Sequence, residues 1–339
     1  MRIKLKPLSE QVVVITGAIS GIGLATARHA VKAGARVMLV ARNGEALDRL
    51  DAELTQAGGE VAHHVADVAD KGQLQSAADA AIARFGTFDT WVNNAGVSTY
   101  GRLEDTPLED QRRLFETNYW GVVHGSLVAL PQLKKNGGAL INLGSELSDA
   151  FIPLQGAYIA SKHAVMGFTD TLRLELLADH APVSVTLIKP SGIDTMFVEH
   201  AKNLLDFQPR LPPPVYAPDV VARAILHAAS HPVRDLYVGS AGRATVGLAR
   251  LLPSVFDRIV SRLGVNAQRT DREKVKSDGL HETASELRER SGHNGHVRET
   301  SFYTNTARHR SLQTALLTGG AALLAASLIA RRKSRLARL

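Results

Sequence analysis

The glycine turn at residues 17 to 23 constrains this chain more than any other stretch. Gln11-Val-Val-Val-Ile-Thr16 is a β-branched run that leads into Gly17-Ala-Ile-Ser20-Gly21-Ile22-Gly23, and Leu24 to Gly34 then carries a helix pattern ending in glycine. Strand, tight turn and helix in that order open a parallel α/β sheet. Glycines let the backbone approach a pyrophosphate, and the helix start offers unpaired N–H groups and a positive dipole end. The spacing is G-x-x-x-G-x-G, where the general dinucleotide fingerprint is G-x-G-x-x-G, so the turn alone is a weak sign.

The pattern then repeats. Arg36-Val-Met-Leu-Val-Ala41 predicts a second buried strand, and at its end, where an acid would bind the ribose 2′-hydroxyl of NAD, stand Ala41 and Arg42. A guanidinium without a carboxylate suits a 2′-phosphate and predicts NADP(H) over NAD(H); a solvated surface Arg42 is the bland alternative. A helix is expected over 44–57 and a third strand over 60–66, ending in Asp67-Val68. His63 and His64 are neighbours on that strand and point to opposite faces, so they cannot chelate together, and no metal site is expected. Phe88 to Asn93 predicts a fourth strand, with Asn94-Ala95-Gly96 as its terminal turn. A long helix over 107–130 carries Asn118, and Gly138 to Gly144 reads as a fifth strand closed by Ser145. Val183 to Lys189 is the sixth, leading into Pro190-Ser191-Gly192-Ile193-Asp194-Thr195; a helix over 218–230 and a short strand at 235–239 complete the series.

Tyr158 and Lys162 sit four apart in a segment expected to be helical to about residue 178. That spacing puts both side chains on one face. A phenol titrates near ~10 when unperturbed, and a neighbouring ammonium favours its ionised form, which a Tyr general acid or base needs. Tyr and Lys also meet at this spacing by chance. Their company decides the matter.

Together, the glycine turn, Asn94-Ala95-Gly96, Ser145 and Tyr158-x-x-x-Lys162 resemble the short-chain dehydrogenase/reductase family, over about residues 8 to 240 and in the family order. The resemblance implies a doubly wound, Rossmann-type α/β fold of about seven parallel strands and an NAD(P)-dependent oxidoreductase. It implies that Tyr158 is the general acid or base, assisted by Ser145, Lys162 and Asn118, the last holding a water that links the lysine to solvent. It assigns cofactor contacts to Gly17, Ser20, Gly21, Ile22, Gly23, Arg42, Asp67, Val68, Asn94, Ala95, Gly96, Tyr158, Lys162, Pro190 and Thr195. Where the family pattern has Pro-Gly-x-x-x-Thr, this chain has Ser191 in place of the glycine, which puts the local backbone in doubt. Residues 194–216 are expected to fold over the substrate, and Phe197, Val198, Leu204, Leu205, Phe207 and Pro212 to Pro214 suggest a lipophilic carbonyl or alcohol. The rival reading is a cofactor-binding regulator or membrane scaffold with little chemistry. Homodimers or homotetramers follow from the resemblance.

Charge and the tail complete the reading. Residues 264–339 carry 14 Lys and Arg against 7 Asp and Glu, which leaves 26 of each sign in residues 1–263. The basic excess belongs to the tail, so the body is not expected to bind nucleic acid. The absence of cysteine excludes disulfides and fits a cytoplasmic enzyme; no signal peptide is visible at the N-terminus. Residues 241–263 predict an amphipathic helix, bent at Pro253. Residues 264–311 are polar and are expected to be a disordered linker. Residues 312–330 run without a charge, and 331–339 form a basic end. A membrane-spanning anchor, a surface attachment and an oligomer helix stay open for that segment.

Overall fold

Seven parallel strands form the centre of the computed structural model, which describes residues 3–275 and 277–307. They are β1 (Val12–Thr16), β2 (Arg36–Ala41), β3 (Val61–Val65), β4 (Thr90–Asn93), β5 (Gly138–Leu143), β6 (Val183–Pro190) and β7 (Asp235–Val238), in the order β7-β6-β5-β4-β1-β2-β3. The order reverses between β1 and β4. Ligands of such sheets bind at that switch point, beyond the carboxyl ends of the strands.

The strands are apolar on both faces because helices cover both. Val13, Ile15, Val37 and Leu39 pack with α1 (Gly21–Lys32), α2 (Gly44–Gln56) and α7 (Pro218–Ser230). Their neighbours Val12, Val14, Met38 and Val40 pack on the other side with α3 (Lys71–Phe85), α5 (Gly121–Asn136) and α6 (Gly156–Ala178). The long helix expected from residue 107 is interrupted. After α4 (Leu108–Phe115) comes a π-helical turn, Glu116–Trp120, and Asn118 sits inside it. Such single turns concentrate at functional sites.

Two corrections concern the C-terminal part. The amphipathic helix is a pair, α8 (Ser240–Leu251) and α9 (Pro253–Gln268), separated at Leu252 because Pro253 has no N–H to continue the ladder. Val246, Ala249 and Phe256 are buried, with Phe256 edge-on to Phe151 at 5.4 Å, while Leu251, Leu252, Val255, Ile259 and Leu263 stay exposed. Residues 269–307 are not a free linker. Val297–Arg298 pairs with Val215–Tyr216 in a two-stranded ribbon, and Leu280 is fully buried beside Leu114, Leu147 and Tyr158. The segment has too little apolar content for a core of its own, but the body supplies the core and pairs its polar groups. Lys202 binds Asp278 at 3.2 Å, and Ser291 donates its backbone N–H to Asp194 at 3.2 Å. Residues 312–339 lie outside the described residues. Among the described residues no helix is long and apolar enough to cross a membrane.

Candidate active site

The glycine turn is built by close approach. Gly17 has φ +65°, and a Cβ on Gly23 would lie 2.0 Å from the Gly17 carbonyl oxygen and 2.6 Å from the Asn94 amide nitrogen. Only glycine fits there. The amide of Asn94 donates to the carbonyls of Thr16 at 2.9 Å and Gly17 at 3.2 Å, while the Thr16 hydroxyl accepts the N–H groups of Asn94 and Ala95. The end of β4 is thereby fixed to the turn after β1. Thr16 was not singled out by sequence reasoning; its place at the last strand position before the glycines was the available signal.

Behind this turn a buried polar chain crosses the sheet. Trp91 Nε1 donates to Asn93 at 2.8 Å, Asn93 donates to Asn142 at 2.9 Å, and Asn142 donates to the Thr169 hydroxyl of α6 at 2.9 Å. Satisfied buried networks of this kind fix one arrangement of the elements they join. Here they fix α6, which carries Tyr158 and Lys162, against β4 and β5.

Ser145 caps a 3-10 turn directly after β5: its hydroxyl accepts the Leu147 N–H at 3.0 Å, and its own N–H donates to Ser148 Oγ at 3.1 Å. Tyr158 is nearly buried, with Phe197 edge-on at 5.2 Å. The Lys162 ammonium lies 5.7 Å from the Tyr158 ring centroid and donates to the Leu143 carbonyl at 2.8 Å. Asn118 is pinned at both ends of its amide, accepting the Val97 N–H at 2.8 Å and donating to the Val97 carbonyl at 2.9 Å and Ser161 Oγ at 3.1 Å. A Cβ on Gly96 would come 3.5 Å from Asn118 Oδ1 and 3.7 Å from Lys162 Nζ, so the three share one corner.

Electrostatics differ from the expectation of an acidified phenol. Burial pushes Tyr158 up to about 12, against a downward pull from the Ser145 hydroxyl, and the Glu146 carboxylate adds to the rise. Burial likewise lowers Lys162 to about 8. The Lys162 ammonium is taken up by the Leu143 carbonyl, and desolvation is the largest influence on the buried phenol. Burial also lifts Glu146, next to Ser145, to about 7. Sequence reasoning passed over Glu146.

Two cavities meet here. One, of about 270 Å³, runs from Arg42, Asp67 and Val68 past Gly17, Ser20 and Gly21 to Thr195; the other, of about 250 Å³, holds Ser145, Tyr158, Lys162 and Pro190. Both are lined by Ile22, Asn94, Gly96, Thr195 and Phe197, so they form one continuous cleft. Gly23 alone of the expected cofactor contacts lies behind the wall, supporting the turn. The C-terminal segment closes the outer end: Ser277, Gly279, Glu282, Thr283 and Ala284 line the first cavity. The Arg42 guanidinium donates to the carbonyls of Gly279 at 3.0 Å, Glu282 at 2.9 Å and Leu280 at 3.4 Å. Asp67 pairs with Arg113 at 2.6 Å. The Ser191 departure is absorbed locally, since its hydroxyl donates to the Val238 carbonyl at 2.9 Å and occupies the space that a Cβ on Gly239 would need.

The glycine cradle, the start of α1 and the elongated cleft fit a dinucleotide. Similarity to known proteins agrees. A family model described as short chain dehydrogenase matches residues 11–204. The Bacillus subtilis (strain 168) protein described as uncharacterized oxidoreductase YxnA is 42% identical over 330 residues, 96% of this chain and 93% of that one. A short chain dehydrogenase/reductase from Burkholderia phymatum, solved in complex with NAD, has a TM-score of 0.67 at 27% identity and covers 80% of this chain and 99% of its own. An alcohol dehydrogenase from the archaeon Thermococcus sibiricus, complexed with 5-hydroxy-NADP, has a TM-score of 0.59 at 30% identity, over 67% of this chain and 95% of that one.

Proposed function

Because the chain belongs to the short-chain dehydrogenase/reductase family, and is an oxidoreductase of alcohol or carbonyl groups using NAD(P), we propose that it reduces a lipophilic aldehyde or ketone with NADPH. The observation that carries this reading is the shared wall of the two cavities, which makes the glycine turn and the Ser145, Tyr158 and Lys162 group parts of one cleft.

The glycine turn, Asn94, Ala95, Gly96 and Thr195 would hold the dinucleotide, with Lys162 at its nicotinamide ribose. When bound, the nicotinamide supplies the hydride. Ser145 then hydrogen-bonds the substrate oxygen and orients it. Tyr158 gives its proton to that oxygen as negative charge develops there. A phenol raised to about 12 stays loaded with its proton at neutral pH, and an alkoxide is a far stronger base than a phenolate, so the transfer runs downhill. Asn118 holds the water through which Lys162 replenishes the proton.

For the cofactor, Arg42 supports NADPH. A guanidinium has five N–H donors, and the carbonyls of residues 279, 280 and 282 take three of them, two from Nη2 and one from Nη1. Nε and one Nη1 hydrogen are left for a 2′-phosphate. The apolar lining by Leu147, Ile152, Ile193, Phe197, Leu211 and Pro212 supports a lipophilic substrate. An NADPH-oxidation screen across hydrophobic aldehydes and ketones, with Tyr158→Phe as the blank, tests the proposal. Turnover above the blank supports it, whereas a flat panel despite tight NADPH binding refutes it.

A further inference from the structure

One carboxyl in the substrate pocket has no partner. Glu146 lines the cavity that contains Ser145 and Tyr158, among apolar walls formed by Leu147, Ile152, Ile193 and Leu211. Its backbone carbonyl accepts the N–H groups of Asp149 and Ala150, and among the described residues its carboxyl has no hydrogen-bond or ion-pair partner. Its position is fixed nonetheless. A Cβ built on Gly242, in the first turn of α8, would lie 2.4 Å from Glu146 Oε2, so the carboxyl fills the space that the absent side chain leaves. Ala241 and Thr245 of the same helix line the cavity beside it.

Glu146 is half-buried with its carboxyl in the cavity, and the loss of water around it raises it to about 7. The unpaired carboxyl lines the same cavity as Ser145 and Tyr158. We propose that Glu146 determines specificity by hydrogen-bonding a hydroxyl carried by the substrate on the α8 side of its reacting carbonyl. The substrate class is then a hydroxylated lipophilic ketone or aldehyde. A hydroxyl suits this carboxyl because it donates to the ionised form and both donates to and accepts from the protonated one. An unsubstituted hydrocarbon in the same place would leave the carboxyl buried and unmatched, which is the situation in which discrimination between analogues becomes large. The inference rests on the reading of this cleft as a carbonyl-reducing site.

Decyl methyl ketone and analogues with one hydroxyl stepped along the decyl chain test it, with NADPH as cofactor. The readout is the ratio of kcat/KM between the best hydroxylated ketone and the plain one, taken within each variant. The expected ratio is about tenfold or more for the unaltered protein, one hydrogen bond's worth, and falls to near unity in Glu146→Leu. Glu146→Gln, which keeps an acceptor and a donor, retains most of it. Gly242→Ala, which suits a helix but intrudes on the carboxyl, lowers it without touching Glu146 itself. A ratio near unity in the unaltered protein at every hydroxyl position, or one unchanged by Glu146→Leu, overturns the inference. If no ketone is turned over at all, the carbonyl-reductase reading is what has failed. Calorimetric binding of the corresponding plain and hydroxylated alcohols then decides Glu146 separately, and equal Kd values overturn it.

Discussion

The backbone N–H of Gly21 donates to the carbonyl oxygen of Arg288 at 2.9 Å. A residue of the glycine turn is thus held by the C-terminal segment, which passes Arg42 at residues 279–282 before this contact and meets Asp194 through Ser291 after it. The cofactor cleft is therefore completed by residues far beyond the short chain dehydrogenase match at 11–204.

Removing that segment should loosen the cofactor. A chain ending at Gln268, the last residue of α9, keeps the sheet but loses the outer wall and the carbonyls that orient Arg42. Stopped-flow fluorescence should show NADPH dissociating at least about tenfold faster, the equivalent of one or two hydrogen bonds. An unchanged rate would mean that the segment lies over the cleft without contributing to binding.

Arg42→Ala should discriminate between cofactors. Hydrogen bonds to charged groups contribute about 1.5–3 kcal/mol, so NADPH affinity should fall about tenfold to a hundredfold while NADH affinity changes little. Equal losses for the two would assign Arg42 to holding the C-terminal segment alone.

The Glu146 carboxyl makes stability depend on pH. Its folded value, about 7, lies above the unfolded reference of 4.5, so the folded state binds the extra proton between them. The stabilisation is fully present below about 4.5 and is lost as pH rises through about 7. Glu146→Gln carries no such proton. The difference in Tm, variant minus unaltered protein, should therefore increase across that window in thermal scans. A constant difference would contradict the burial of this carboxyl.

Thr16→Val removes the acceptor shared by the N–H groups of Asn94 and Ala95 at nearly constant volume. The Asn94 N–H keeps the Val92 carbonyl at 3.1 Å, so the part-buried Ala95 N–H alone loses its partner, at a cost on the order of 1 kcal/mol. Chemical denaturation should show a loss of that order, together with a raised KM for the cofactor.

Much of this arrangement is legible in the sequence because its signals are local. The alternation of β-branched runs with helix patterns marks the seven strands, and the positions of Ser145, Tyr158 and Lys162 follow from where those elements end. What escaped notice depends on contacts between distant segments. The polar stretch after residue 268 resembles a linker because its partners are not in it: Leu280 is buried by Leu114 and Leu147, and its carbonyl neighbours are paired by Arg42. The acidity of Tyr158 is hidden from the sequence for the same reason. Spacing reveals the lysine one turn away, whereas burial, which here outweighs it, depends on Phe197 and the rest of the folded pocket. The room that Gly239 leaves for the Ser191 hydroxyl is likewise a contact between segments far apart in the chain.

Tyr158→Phe removes one oxygen from the cleft and tests the central claim most directly. With NADPH and a hydrophobic ketone that the unaltered protein reduces, kcat should fall by about a thousandfold or more while the NADPH Kd stays within about threefold. A variant that keeps a tenth or more of the original kcat would show that the proton comes from elsewhere and that Tyr158 is part of the wall.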